Sequence, residues 1–294
     1  MSPQRKKIQF IINPISGGSN KIKIIKSIPE LLDENRFDIS VVHSKSAGQA
    51  SEMAKKAVEN KVDIVAAVGG DGTINEIASQ LVNTNTALAI VPCGSGNGLA
   101  RDLGISRHYK EAIKQINALN IKQIDVGVCN QQYFFNLCGI GYDAKVAYDF
   151  NRGKQRKFLG YAWAVIKGYF SSTEQQVEIE LQNEKISNRS FFITIANGSQ
   201  WGYNAKVAPD AKLDDGIFHI VLCKKPPFLS LIPFGIKILS GKILTSAFVT
   251  VKTSNEITMS SQKGFFYHLD GDAKGVSCKI EIALLPKTLN IVTK

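Results

Sequence analysis

The residues best suited to chemistry lie in three glycine-bearing loops and one acidic turn. The loops read Asn13-Pro14-Ile15-Ser16-Gly17-Gly18, Gly69-Gly70-Asp71-Gly72-Thr73 and Pro92-Cys93-Gly94-Ser95-Gly96-Asn97-Gly98, and the turn reads Asp270-Gly271-Asp272. Glycines let backbone N–H groups come close to phosphate oxygens, and a helix starting after such a loop adds the positive end of its dipole. The expected ligand is rich in phosphate. Asp71 fits that ligand through a cation, because a bare carboxylate would repel phosphates unless Mg²⁺ lay between them; the alternative for Asp71 is an N-cap on a helix over 74–81. Two familiar nucleotide fingerprints do not match: Gly94-x-Gly96-x-Gly98 has Leu99 where the dinucleotide pattern needs its third glycine, and no stretch reads G-x-x-x-x-G-K-[ST].

The elements that must position these loops follow from hydropathy. Apolar runs at 7–12, 38–42, 63–68 and 87–91 alternate with stretches of helical composition, as in a parallel sheet covered by helices. The three loops then fall at the carboxyl ends of strands, where open α/β sheets place their ligands. Beyond residue 125 the texture becomes short β-rich segments, which predict an antiparallel sandwich or barrel interrupted by helical insertions near 144–170 and 228–241. The fold expected is α/β plus all-β, with a nucleotide-type domain over 1–125 and a β-sandwich over 126–294. Strands at 267–269 and 277–282 would make Asp270-Gly271 a hairpin turn. Paired aromatics such as Phe134-Phe135, Phe191-Phe192 and Phe265-Phe266 should each turn one ring inward.

Composition removes several classes. With 44% hydrophobic and 21% charged residues among 294, the chain is neither disordered nor collagen-like. The longest apolar tract, 228–244, is broken by Pro233, Lys237 and Lys242, so no spanning helix is expected. Five widely spaced cysteines and four scattered histidines suggest neither a disulfide framework nor a zinc site, and the thiols suit a reducing cytoplasm. Ser16 and Ser95 lie in no nucleophile elbow. Neither an RNA-binding aromatic motif nor a recognition-helix signature is present, so nucleic acid is not an expected partner.

Taken in order, these motifs resemble the diacylglycerol kinase catalytic family, which includes bacterial lipid kinases and the sphingosine and ceramide kinases. The likeness rests on Asn13-Pro14-x-Ser16-Gly17, Gly69-Gly70-Asp71-Gly72-Thr73 with Asn75-Glu76, Gly94-Ser95-Gly96-Asn97 and Ala100-Arg101. It continues through Gly139-Ile140-Gly141-Tyr142-Asp143-Ala144, Ala196-Asn197-Gly198, 208–216 and Asp270-Gly271-Asp272. The resemblance implies a phosphofructokinase- or NAD-kinase-like α/β domain, a β-sandwich lipid domain, and an active site in the cleft between them. It implies an ATP-dependent lipid kinase that phosphorylates a hydroxyl of diacylglycerol, a sphingoid base or ceramide, with a soluble NAD kinase or a non-catalytic lipid-binding regulator as alternatives. Asn13, Pro14, Ile15, Ser16, Gly17, Ser44, Gly70, Asp71, Gly72, Thr73, Ile74, Asn75, Glu76 and Ser95 would contact ATP. Arg101 would neutralise charge on the phosphates. Lys212, Asp215 and Ile217 match a Mg²⁺ site of bacterial members, in which Lys and Ile lend only backbone carbonyls. The family usually has Asp-Gly-Glu at the acidic turn, and here Asp272 replaces that Glu; Asp272, or Asp270 beside it, is expected to take the hydroxyl proton, and the shortened side chain bears on activity.

The charge is unevenly spread. Residues 1–125 carry 16 basic and 12 acidic side chains, and the remainder carries 20 and 13. Within it, 145–167 has six basic residues and one acid, and 224–252 has five basic residues and no acid. Basic and apolar residues together suit an anionic membrane surface, so a cytoplasmic enzyme, peripheral at the inner membrane face, is expected. A homodimer is compatible with the sequence. The alternative for the basic insertions is a solvated helix face packed on the sandwich.

Overall fold

The structure is a computed structural model that describes residues 5–14, 21–46, 48–94, 96–152 and 158–294, with side chains described except at 150–152 and 158–164. The chain forms two compact units. One runs to Val126 and takes back Pro286–Lys294, and the other is Gly127–Leu285.

In the first unit, strands β1 (Lys6–Ile12), β2 (Phe37–His43), β3 (Ile64–Gly69) and β4 (Ala87–Pro92) alternate with helices α1 (Lys21–Leu31), α2 (Gln49–Glu59) and α3 (Asp71–Leu81); α4 (Gly98–Asp102), α5 (Tyr109–Ile116) and β5 (Ile121–Cys129) follow. The strands pair in parallel in the order β2-β1-β3-β4. β3 and β4 are buried at every position, as their unbroken Val, Ile and Ala runs require when helices cover both faces. Ile8, Phe10, Ile24, Ile28, Phe37, Ile64 and Ile113 belong to one core cluster on one side of this sheet.

In the second unit the strands are β6 (Gln132–Phe134), β7 (Leu137–Gly141), β8 (Gln175–Leu181), β9 (Lys185–Ser190), β10 (Phe192–Ala196), β11 (Phe218–Cys223), β12 (Val249–Ser254), β13 (Glu256–Leu269) and β14 (Asp272–Val292), the last of which from Pro286 onward belongs to the first unit. Helices α6 (Tyr142–Arg152), α7 (Phe158–Ser171) and α8 (Leu231–Leu239) occupy the two expected insertions. The strands pair antiparallel in the order β12-β11-β10-β7-β13-β14. β13 pairs with β8 through Ile257–Ser260 and with β7 through Tyr267–Leu269, and the register shift between Ser260 and Phe265 lets one strand serve both. Apolar clusters lie on both faces of this sheet, one around Phe134, Phe218 and Phe265 and one around Phe191, Phe192 and Phe234.

Two expectations need correction. Both members of the pairs Phe134-Phe135 and Phe191-Phe192 are buried, because β6 ends at Phe134 and Phe191 precedes β10, so strict alternation does not apply across the step. Pro286–Lys294, expected in the sandwich, pack with the α/β unit. Ile291 lies opposite Leu88 of β4, Lys287 N–H donates to the fully buried Asp125 carboxylate at 2.8 Å, and Asn120 Nδ2 donates to the Lys294 carbonyl at 2.7 Å. Leu289 and Ile291 are fully buried, so the tail completes this core. Ile291→Ala is expected to destabilise the protein by about 2–4 kcal/mol, seen as an earlier urea midpoint by far-UV circular dichroism; an unchanged midpoint would remove the tail from the core's support.

Candidate active site

The parallel register brings the carboxyl ends of β1 to β4 to one edge. Ser44 N–H donates to the Ile12 carbonyl at 3.0 Å, Asn13 N–H to Val68 at 3.2 Å, and Cys93 N–H to Gly69 at 2.7 Å, so each loop begins one step beyond its strand. The strand order reverses direction at β1, which places the loops after β1 and β3 on either side of a topological switch point. Asn13 Nδ2 donates to Thr73 Oγ1 across that point at 3.1 Å.

Asp71 is the hub of this edge. It opens α3, whose N-cap is Gly70, so the alternative of Asp71 as N-cap does not hold. Its carboxylate instead accepts N–H bonds from Asn97 at 2.9 Å and Gly98 at 3.1 Å, one on each oxygen, at the start of α4. Burial pushes the carboxyl above its usual range, and the two N–H donors and the Arg101 charge pull against that shift. The sign follows: ionised Asp71 costs stability in the folded chain above its raised pKa, and the cost is relieved as pH falls below it.

The glycines around it serve close packing between loops. A Cβ on Gly69 would meet the Thr73 side chain at 2.5 Å, one on Gly94 would meet the Gly70 Cα at 2.8 Å, and one on Gly96 would meet Asp71 Oδ2 at 2.9 Å. Gly72 faces open space at the first turn of α3, which carries no side-chain cap. Asn97, at φ +50° and buried, closes the third loop by donating from Nδ2 to the Gly94 carbonyl.

The remaining expected residues divide. Pro14 and Ser44 stand at the edge, with Ser44 buried, and Asn75 and Glu76 are half-buried on α3. Ile74 turns its side chain into the core and its N–H to the Gly70 carbonyl, so it supports the helix rather than facing a ligand. Arg101 donates from Nε to the Gly96 carbonyl at 2.9 Å. Ile15, Ser16, Gly17 and Ser95 lie outside the described residues.

In the second unit, Asp270 and Gly271, at φ +49° and +85°, form the expected two-residue hairpin turn, and Leu269 pairs with Asp272. The two acids have opposite surroundings. Asp270 accepts N–H bonds from Phe135, Asn136 and Leu137 at 2.8–2.9 Å, so both of its oxygens hold the backbone. Asp272 is exposed and, among the described residues, its side chain pairs with Lys274 at 2.7 Å, a surface pair of small energy. Behind the turn, His268 accepts the Gly271 N–H on Nδ1 at 3.2 Å and sets Nε2 3.6 Å from Asp143, whose Oδ2 also accepts from Thr194 at 3.3 Å. Sequence reasoning set His268 aside and gave Asp143 no role. The signal was Gly139, where a Cβ would fall 2.2 Å from His268 Nε2 and 2.4 Å from Asp143 Oδ2.

Among the described residues no three acidic, histidine or cysteine side chains gather as a metal site. Mg²⁺ does not need one, since it is commonly held by one or two carboxylates with water and substrate phosphates. Asp71 fits that description: its burial leaves an ionised form that a cation would stabilise. At the second expected metal site, Asp215 Oδ1 accepts the Ile217 N–H at 3.3 Å and Oδ2 lies 3.8 Å from His219, on an exposed turn. The hydrogen bond with Cys129, together with burial, pushes the Cys138 thiol well up, so it is a packing group.

The comparisons with known proteins agree with these motifs. The diacylglycerol kinase catalytic domain matches residues 7–129, and the YegS C-terminal NAD kinase beta sandwich-like domain matches residues 136–293. A diacylglycerol kinase of Bacillus subtilis (strain 168) is 30% identical over 280 residues, 92% of this chain and 91% of its own. One of Staphylococcus aureus (strain bovine RF122 / ET3-1) is 28% identical over 282 residues, 92% of this chain and 87% of its own. In fold, the crystal structure of a diacylglycerol kinase from Bacillus anthracis str. Sterne matches with a TM-score of 0.78 at 22% identity, over 98% of this chain and 97% of that one. The matched catalytic domain and the relatives that share it define a kinase that transfers a phosphoryl group. The chain belongs to the diacylglycerol kinase family of lipid kinases.

The contrast between the two acids is directly testable. Asp270→Asn should lower stability by about 2–3 kcal/mol in urea unfolding, because backbone donors lose a charged acceptor. Asp272→Asn should stay within about 0.5 kcal/mol of the wild type.

Proposed function

We propose that the chain transfers the γ-phosphate of ATP to the free hydroxyl of diacylglycerol. The observation that carries this reading is the hub at Asp71, where one half-buried carboxylate joins the loops after β3 and β4 beside the loop after β1. Backbone N–H groups at the open start of α3 bind phosphate oxygens, and Gly72 lets them approach. Asp71 would hold Mg²⁺, directly or through water, and Lys212, Asp215 and Ile217 would hold a second, structural one. When bound at Asp71, the cation supplies neutralising charge to the phosphates. Arg101 adds positive charge at the same edge. Asp272 accepts the hydroxyl proton of the lipid as the phosphoryl group arrives, and Asp270 holds the turn that carries it. A sphingoid base or ceramide presents the same hydroxyl chemistry and is the next acceptor to test.

A second reading, a lipid-binding regulator without activity, is favoured by Asp272 standing where relatives of this type usually carry Glu. Incubation with labelled ATP and Mg²⁺ against diacylglycerol, a sphingoid base, ceramide and NAD separates these readings. Label is expected in the diacylglycerol product; label in none, with lipid binding intact, would establish the regulator. In the same assay Asp71→Asn should lose at least about 1,000-fold in kcat/KM with an unchanged circular dichroism spectrum. Asp272→Asn should lose about 100-fold or more in kcat, and Asp272→Glu should equal or exceed the wild type.

A further inference from the structure

Helix α8 carries apolar residues on every side, with Lys237 its one charged residue, yet only one side is covered. Leu231, Phe234 and Ile238 pack into the core cluster that includes Phe191, Phe192 and Ile243. On the opposite side Leu229, just before the helix, is 90% exposed, Ile232 78%, Ile236 61% and Leu239 63%. Their spacing puts them on one stripe. Phe228 extends it to a second helix, with its ring 5.8 Å from that of Phe170 on α7, and both rings are more than half exposed. A helix apolar all round is ordinarily buried, and a contiguous exposed patch of this kind marks an interaction surface.

Charge identifies the occupant. From Gly216 to Asn255 the chain contains five lysines and no acid. They are not equivalent, however. Lys225 Nζ donates to the Ser172 carbonyl at 2.8 Å and sits 4.6 Å from the centre of the Tyr169 ring, and Lys237 Nζ donates to the Thr245 carbonyl at 2.9 Å. Lys224 and Lys242 are exposed, one on each side of the stripe in sequence. Glu174 and Glu184 meet Lys225 and Lys252 of this stretch, which leaves the exposed Lys224 and Lys242 as the charges beside the stripe; a second copy docked by two-fold symmetry would set that basic rim against itself, whereas an anionic membrane supplies the opposite charge and an apolar layer together. The helix has nine residues, about 13 Å at 1.5 Å per residue, so it cannot cross an apolar layer of about 30 Å. Among the described residues no helix is long and apolar enough to do so.

We propose that the stripe on α8, with Phe228 and Phe170, lies in the headgroup–acyl boundary of an anionic membrane, and that apolar insertion contributes more to binding than the lysines do. The inference rests on the reading of a lipid acceptor, and it ranks the apolar stripe above the lysines where the sequence named the two together.

The test uses the full chain and two kinds of vesicle, phosphatidylcholine alone and phosphatidylcholine mixed with phosphatidylglycerol. Wild type should bind the mixed vesicles. Leu229→Gln/Ile232→Gln/Leu239→Gln should weaken that binding by at least about 300-fold, and Lys224→Gln/Lys242→Gln by about 30-fold. Ile232→Trp, which keeps the stripe apolar, should show quenching by brominated acyl chains clearly greater than that of the wild type, whose own tryptophans are Trp163 and Trp201. The inference is overturned if the apolar variant binds within about threefold of wild type, if only the lysine variant loses binding, or if the apolar variant turns a dimer into a monomer with vesicle binding unchanged. Phosphorylation of dispersed dioctanoylglycerol separates the two levels. The apolar variant should match wild type there; if wild type gives no product while vesicle binding follows the pattern above, the kinase reading fails and the docking surface stands.

Discussion

The N-terminal edge depends on one carboxylate held half out of water. Asp71 reaches 26 residues along the chain to accept the Asn97 N–H, and with Gly98 it starts α4 from outside that helix. This sets the loop composition around it: Gly94 and Gly96 are glycine because a side chain would strike Gly70 or the Asp71 oxygen itself. The cost is an ionised group that burial disfavours. A group of this kind at the open end of a parallel sheet suits a partner of opposite charge, and under the proposed function that partner is a cation carried with the polyphosphate.

The sandwich unit solves a related problem with the opposite allocation. Of two acids two residues apart, Asp270 lies in a left-handed turn and Asp272 just after it, and the fold gives the first to the backbone and leaves the second to solvent. Asp270 gathers three N–H groups and fixes the turn, and Asp272 projects from the first position of β14 with a surface lysine beside it. His268 and Asp143 brace the turn from behind, and Gly139 makes room for them.

Much of this was legible in the chain itself. The four parallel strands were visible because runs buried on both faces are unbroken, and the hairpin was visible because Asp-Gly suits two successive positive φ values. The loops were legible by position as strand-to-helix loops gathered at one edge of the sheet. The purpose of their glycines was not, since Gly94 and Gly96 answer to Gly70 and Asp71 of another loop, and Gly69 to the Thr73 side chain folded back over it. The return of Pro286–Lys294 to the first unit was hidden for the same reason: its partners, Leu88, Asn120 and Asp125, lie far away in sequence. Composition located the basic insertions correctly but could not show that Lys225 and Lys237 turn inward while Leu229 and Ile232 turn out.

The central claim is that Asp71 meets the nucleotide through a cation. Calorimetric titration of the wild-type protein with ATP, once with Mg²⁺ and once with a chelator, tests it most directly. An affinity at least about tenfold higher with Mg²⁺ is the expected result, because an uncompensated carboxylate repels the phosphates. Equal or tighter binding of metal-free ATP would contradict it.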